Sequence, residues 1–132
     1  MAGEVAARAS LVWLVLIAAE VVHGILRTML LVPLVGDLPA RQIGVLVGSL
    51  LILLITTLFV RWIGAKSTKE LLAVGFGWLL LTASFEIGFG LLVFGRTWSY
   101  LKMDYDIPHG GLLPFGFVVL LFAPWIAARI RS

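Results

Sequence analysis

The chain has 132 residues, of which 61% are hydrophobic and 13% charged, and its mean hydropathy is +1.11. A soluble domain carries about a quarter charged residues, and one this small cannot bury so much apolar surface, so a lipid-embedded fold is implied and a second, soluble domain is excluded. There is no cysteine, which removes disulfides, thiolate metal sites and thiol nucleophiles. The net charge of +3 flanks the apolar runs, as membrane anchors do, and indicates a lipid rather than a nucleic-acid partner.

The first apolar run extends from Leu11 to about Val35 and is interrupted by Glu20, His23 and Arg27. A secretory signal peptide is the competing reading, but Glu20 and His23 fall where an uncharged core and cleavage site belong. Pro33, Gly36, Asp37 and Pro39 then predict a short turn. The second helix is expected over about 42–62, around an uncharged run from Ile43 to Val60 bracketed by Arg41 and Arg61. It is long enough for a hydrocarbon core that takes about 17–25 helical residues.

Ser67, with Glu70 three residues on, has the pattern of a capping box and starts a third helix over about 68–94, whose apolar run holds one charge, Glu86. The longest polar stretch follows, with Arg96, Tyr100, Lys102, Asp104, Tyr105, Asp106 and His109. The fourth helix is expected over about 112–129, with Pro114 in its first turn, where proline is tolerated. The fold class is therefore an all-α polytopic bundle of four transmembrane helices forming a single domain.

Four spans put both termini and the second turn on one side, with Arg8, Arg61, Lys66, Lys69, Arg129 and Arg131. The other side carries Arg41, Arg96 and Lys102, with Arg27 nearby, so the excess of Lys and Arg assigns both termini to the cytoplasm.

The chemistry lies inside the apolar body. At 100° per residue, Glu20, His23 and Arg27 share one face of the first helix, and a rise of 1.5 Å per residue puts them roughly 13, 18 and 24 Å deep. Glu86 lies roughly 22 Å deep on the third helix by the same rise, level with Arg27. A charge in hydrocarbon costs about 2.5 kcal/mol or more and usually pairs within the bundle. The expected solution is an Arg27–Glu86 ion pair, with His23 one turn below. That pair also serves to fix helix register, and His23 can equally hydrogen-bond a neighbouring helix. Glu20, deep and with only His23 as a cationic neighbour, points most strongly to function.

Glu20-x-x-His23 has the spacing of helical carboxylate metal sites, but a second such pair is missing because Glu86 has no histidine three residues on. No metal or cofactor is therefore expected. Glu20-Val-Val-His-Gly24 and Glu86-Ile-Gly-Phe-Gly90 share Glu and Gly at one spacing, a faint parallel repeat. Gly44-x-x-x-Gly48, and Gly88 with Gly90, predict close helix contact or self-association.

In the outer-face loop, Asp104-Tyr105-Asp106 with His109 offers oxygen ligands for a hard cation, or simply a solvated surface. Arg41 and Arg96 are placed to meet phosphate head groups or an anionic solute.

Two resemblances follow. Ala19-Glu20-Val21-Val22 resembles the start of the small multidrug-resistance transporters, which implies an essential glutamate at Glu20. That likeness covers only these residues, and the long third loop departs from the family's compact hairpins. Gly24-x-x-Arg27, Val32-Pro33-Leu34-Val35-Gly36, Arg61, Glu86, Gly95-Arg96, Tyr100 and Pro124 resemble a group of small four-span bacterial membrane proteins without an assigned activity. This second resemblance implies the bacterial inner membrane and a Gly24/Arg27/Glu86 core.

The leading expectation is transport or permeation of a proton, ion or small solute past Glu20, His23, Arg27 and Glu86. One four-helix bundle leaves little lumen, so a homo-oligomer is expected to supply the path. An accessory or structural subunit of a larger membrane complex, and a lipid-modifying enzyme with Glu86 or His23 as acid or base, are the alternatives.

Overall fold

The computed structural model describes residues 2–92, 95, 97–99 and 112–131. Among them the regular secondary structure is all helical, with helices long and apolar enough to cross a membrane at Gly3–Val35, Asp37–Ile63, Thr68–Leu92 and Leu113–Ile130. The first span is composite: α1 (Ala2–Leu26), a π-helical turn (Arg27–Leu31) and a short α2 (Val32–Val35) run on without a break. Helices α3 (Asp37–Ile63), α4 (Thr68–Leu92) and α5 (Leu113–Ile130) are the other spans.

The helix ends follow from local chemistry. Gly36, at φ 90°, breaks the chain between α2 and α3, a backbone conformation that glycine adopts without a steric penalty. Pro33 and Pro39 do not lengthen this turn. Pro33 stands inside the continuous first span, and only Pro39 lies in a true first turn, that of α3, where no intrahelical N–H bond is lost. The predicted turn thus shrinks to Gly36, and α3 starts at Asp37 rather than near residue 42.

At the other end Gly64, at φ 83°, ends α3 in the left-handed conformation, its N–H bonded to the Val60 carbonyl at 3.4 Å. The capping box of α4 is present. The Glu70 N–H donates to Ser67 Oγ at 3.1 Å, and the Ser67 N–H donates to Glu70 Oε1 at 3.4 Å. Helix α1 begins at Ala2, well before the apolar run, where Arg8 reaches Glu4 at 3.2 Å along the helix and the Trp62 carbonyl at 3.0 Å across it.

Around the bundle the order is α1, α3, α5, α4, with the α1–α4 seam the slightest of the contacts between neighbours. Both termini and the 64–67 turn share one end, where Arg61 donates to the Arg131 carbonyl and Arg131 to the Thr57 carbonyl. The dense core lies in this half, built from residues such as Val12, Val60, Ile63, Leu71, Ala123 and Ala127. Trp78 is only 2% exposed and donates from Nε1 to the Ala9 carbonyl at 2.9 Å. Gly75 allows α4 to meet α5 so closely that a Cβ there would run into the backbone carbonyl of Leu121. Deeper in the bundle, Trp13 holds the α1–α4 seam by a 3.0 Å bond from Nε1 to Thr82 Oγ1 and an edge contact with Phe85.

Candidate functional site

Beyond Trp13 the seam opens. A cavity of about 420 Å³ lies in the far half of the bundle, lined from all four spans. Glu20, His23, Arg27 and Glu86 all line it, joined by Arg41. Its size falls within the roughly 300–1,000 Å³ usual for small-molecule sites.

On α1 the polar face is as its periodicity predicts. Glu20 Oε2 is 3.9 Å from His23 Nδ1, and Glu20 Oε1 is buried without a hydrogen-bond partner. Arg27 opens the π turn, and its Nε is likewise buried without a partner. The wide turn has a local cause. Pro33, just beyond it, has no N–H to continue the ladder, and its ring conflicts with the carbonyl four residues earlier. Thr28 Oγ1 also donates back to the Gly24 carbonyl at 2.9 Å, a bond that loosens helices. Such π turns occur often at functional sites.

Helix α3 faces these groups with glycine. A Cβ on Gly44 would lie 2.9 Å from Arg27 Cδ and 3.2 Å from its Nη1, and a Cβ on Gly48 would lie 2.9 Å from Glu20 Oε2. The Gly44-x-x-x-Gly48 spacing therefore seats charged side chains of α1 rather than bringing two backbones together. The glycine that does bring backbones together is Gly75, which the sequence reading passed over. Gly88 has nothing within 4 Å of its would-be Cβ among the described residues.

Arg41 requires a correction. It was expected in the outer-face loop, but it lies in the second turn of α3, only 6% exposed, and its Nη1 donates to Asp37 Oδ2 at 3.1 Å. Because α3 starts at Asp37, Arg41 is carried inside. A helical reading contains the signal, since Arg41, Gly44, Gly48 and Ile52 fall on one 100°-periodic face, and all four line the cavity.

Helix α4 contributes Glu86 with Phe85 and Phe89, whose rings stack at 5.0 Å, and α5 contributes Leu113, Gly116, Phe117 and Leu120. The cavity is thus charged on the α1, α3 and α4 walls and apolar on the α5 wall. Glu20 lies within electrostatic range of both Glu86 and Arg27. The ion pairs seen within 4.0 Å among the described residues are Arg8–Glu4, His23–Glu20 and Arg41–Asp37. The expected Arg27–Glu86 contact is not one of them, although both residues line the same cavity. The cavity is walled by a single chain.

Among the described residues, no three His, Asp or Glu side chains are grouped to hold a metal ion. Arg96, Asp104, Tyr105, Asp106 and His109 of the outer-face loop lie outside the described residues. Comparison with known protein families, curated proteins and solved structures finds no match.

Proposed function

We propose that the protein is a small integral membrane transporter or permeation protein, moving a proton, an ion or a small solute past Glu20, His23, Arg27 and Glu86. One observation carries this reading: a solute-sized cavity within a four-span bundle, lined by those four side chains and Arg41. A cluster that served only to tie helices together would pair its charges internally. Here Glu20 Oε1 and Arg27 Nε are buried with no partner, and leaving a buried polar group unsatisfied costs about 1–3 kcal/mol. Such a cost is recovered when a ligand or passing ion supplies the missing bonds. The cavity needs no second subunit to form its walls.

Both termini are assigned to the cytoplasmic side of a bacterial inner membrane. Six basic residues support this, namely Arg8, Arg61, Lys66, Lys69, Arg129 and Arg131 at that end. With Arg41 inside the cavity, the opposing flank retains Arg96 and Lys102, which strengthens the asymmetry.

The test is flux into proteoliposomes under proton, potential and salt gradients, comparing the native chain with Glu20→Gln. Loss of a hydrogen bond to a charged group is worth about 1.5–3 kcal/mol, so flux should fall roughly tenfold to a hundredfold. Equal flux from both chains, or none from the native chain under any gradient, would count against the proposal.

A further inference from the structure

A second hollow lies at the end of the bundle that holds both termini, away from the charged cavity. It is a pocket of about 400 Å³ where α3 and α5 end, lined by Arg61, Lys66 and Arg131 together with the small residues Gly64, Ala65 and Ala128. No Asp or Glu is among the described residues that line it. The carboxylates of this end are engaged elsewhere, Glu4 by Arg8 and Glu70 by Ser67. Lys66 is exposed and belongs to none of the ion pairs among the described residues.

Two of the three cations also serve helix ends. Arg61 donates to the Arg131 carbonyl, and Arg131 donates to the Thr57 carbonyl at 3.2 Å, one turn before Arg61. A helix C-terminus is worth roughly half a negative charge, so α3 and α5 together offset about one of the three positive charges. About two remain. A guanidinium has five N–H donors, so a single bond to a carbonyl leaves most of each fork available. The pocket therefore presents a net positive charge, with donors to spare and only small side chains between them.

Its surroundings are those of a membrane surface. Arg8 stacks over Trp62 at 5.4 Å and Arg129 over Trp125 at 4.8 Å, and tryptophan is enriched where lipid meets water. Leu58, Leu54 and Leu50 precede Arg61 on α3 and fall within about 60° of it around the helix. All three are exposed. They form an apolar track that runs from the pocket toward the middle of the span.

We infer that this pocket binds the phosphate of an anionic lipid, with Arg61, Lys66 and Arg131 on the phosphate and the acyl chains along Leu58, Leu54 and Leu50. Basic pockets beside membrane spans take such head groups. A zwitterionic lipid fits less well, because its own cation cancels the charge of its phosphate. A soluble phosphate leaves the leucine track unused. The site is independent of the transport reading and involves neither Glu20 nor the cavity around it.

The probe is dioleoylphosphatidylglycerol, titrated into the full chain in detergent and read by native mass spectrometry. Dioleoylphosphatidylcholine, with the same chains and a neutral head group, serves as the comparison. The anionic lipid should bind as one molecule per chain and roughly tenfold or more tightly than the zwitterionic one. Lys66→Gln should weaken it about fivefold, the factor for one basic residue at a lipid surface. Lys69→Gln removes a charge from the same end but outside the pocket, and should leave binding unchanged. Ala128→Leu fills the pocket without touching a charge and should weaken the anionic lipid as well. Thermal midpoints of the variants separate lost binding from lost fold.

Equal binding of the two lipids would overturn the inference. So would a Lys69→Gln effect as large as that of Lys66→Gln, which would mean diffuse attraction to the surface rather than a site. Displacement of the lipid by an equal concentration of glycerol phosphate would overturn the lipid assignment and give the pocket to a soluble phosphate compound.

Discussion

The two halves of the bundle are made from the same four helices yet solve opposite problems. In the half that holds both termini, Trp78, Ile63 and Ala127 are almost fully buried, and Gly75 lets the α4 backbone meet that of α5. In the far half the same helices separate around a cavity, and glycines Gly44 and Gly48 admit side-chain charges instead of a neighbouring backbone. Glycine is thus used twice with different effect. In lipid, where apolar burial between helices provides little drive, close packing supplies the association. Confining it to one end leaves the other free to hold polar groups in an open arrangement.

This contrast breaks most readily at Gly75. Gly75→Ala drives a methyl group into the Leu121 carbonyl, a backbone atom that cannot swing aside. Overpacking of this kind costs about 1–3 kcal/mol and occasionally more. The upper end of that range is expected, read as a loss of unfolding free energy in detergent titration. Trp78→Phe should cost less, about 1 kcal/mol or somewhat more, because it removes the bond to the Ala9 carbonyl while keeping most of the ring volume. The same titration reads it, with near-ultraviolet dichroism confirming that the remaining tryptophans keep their surroundings.

The smallest expected change in stability comes from the hollow half. Gly48→Ala meets only the flexible end of Glu20, so its effect on unfolding should stay within about 0.5 kcal/mol, as for substitutions away from rigid contacts. Flux through the same variant should nevertheless fall, since the carboxylate is displaced. Were Gly48→Ala to destabilise the bundle as much as Gly75→Ala does, the division between a dense and a hollow half would be lost.

Much of this was legible in the residues. The four spans follow from the apolar runs, and the capping box from Ser67 and Glu70. The shared face of Glu20, His23 and Arg27 follows from helical phase alone. Arg41 was misplaced because Gly36, Asp37 and Pro39 together read as a turn that reaches almost to Arg41. Only the rule that proline is tolerated in a first helical turn, applied to Pro39, brings α3 back to Asp37.

The glycines were misread for a different reason. Spacing shows that two glycines share a face, but whether they receive a backbone or a long side chain depends on which helix lies opposite. Periodicity also assigned Arg27 and Glu86 to one depth, but depth does not fix the lateral distance between two helices. A lumen within one bundle is likewise a property of how seams close, and the weak seam between α1 and α4 has no mark in either helix alone.

The π turn at Arg27–Leu31 has a further consequence for how the first span meets its surroundings. A π turn takes in one residue more than an α turn, so everything beyond it is advanced by about 100° relative to an unbroken helix. Val32–Val35 therefore present a different azimuth from the one that counting onward from Glu20 assigns. The first span is in effect two helices out of phase, and the joint between them coincides with the arginine that faces the cavity. One surplus residue lets the outer end of the span face its own neighbours while Glu20, His23 and Arg27 keep their common aim.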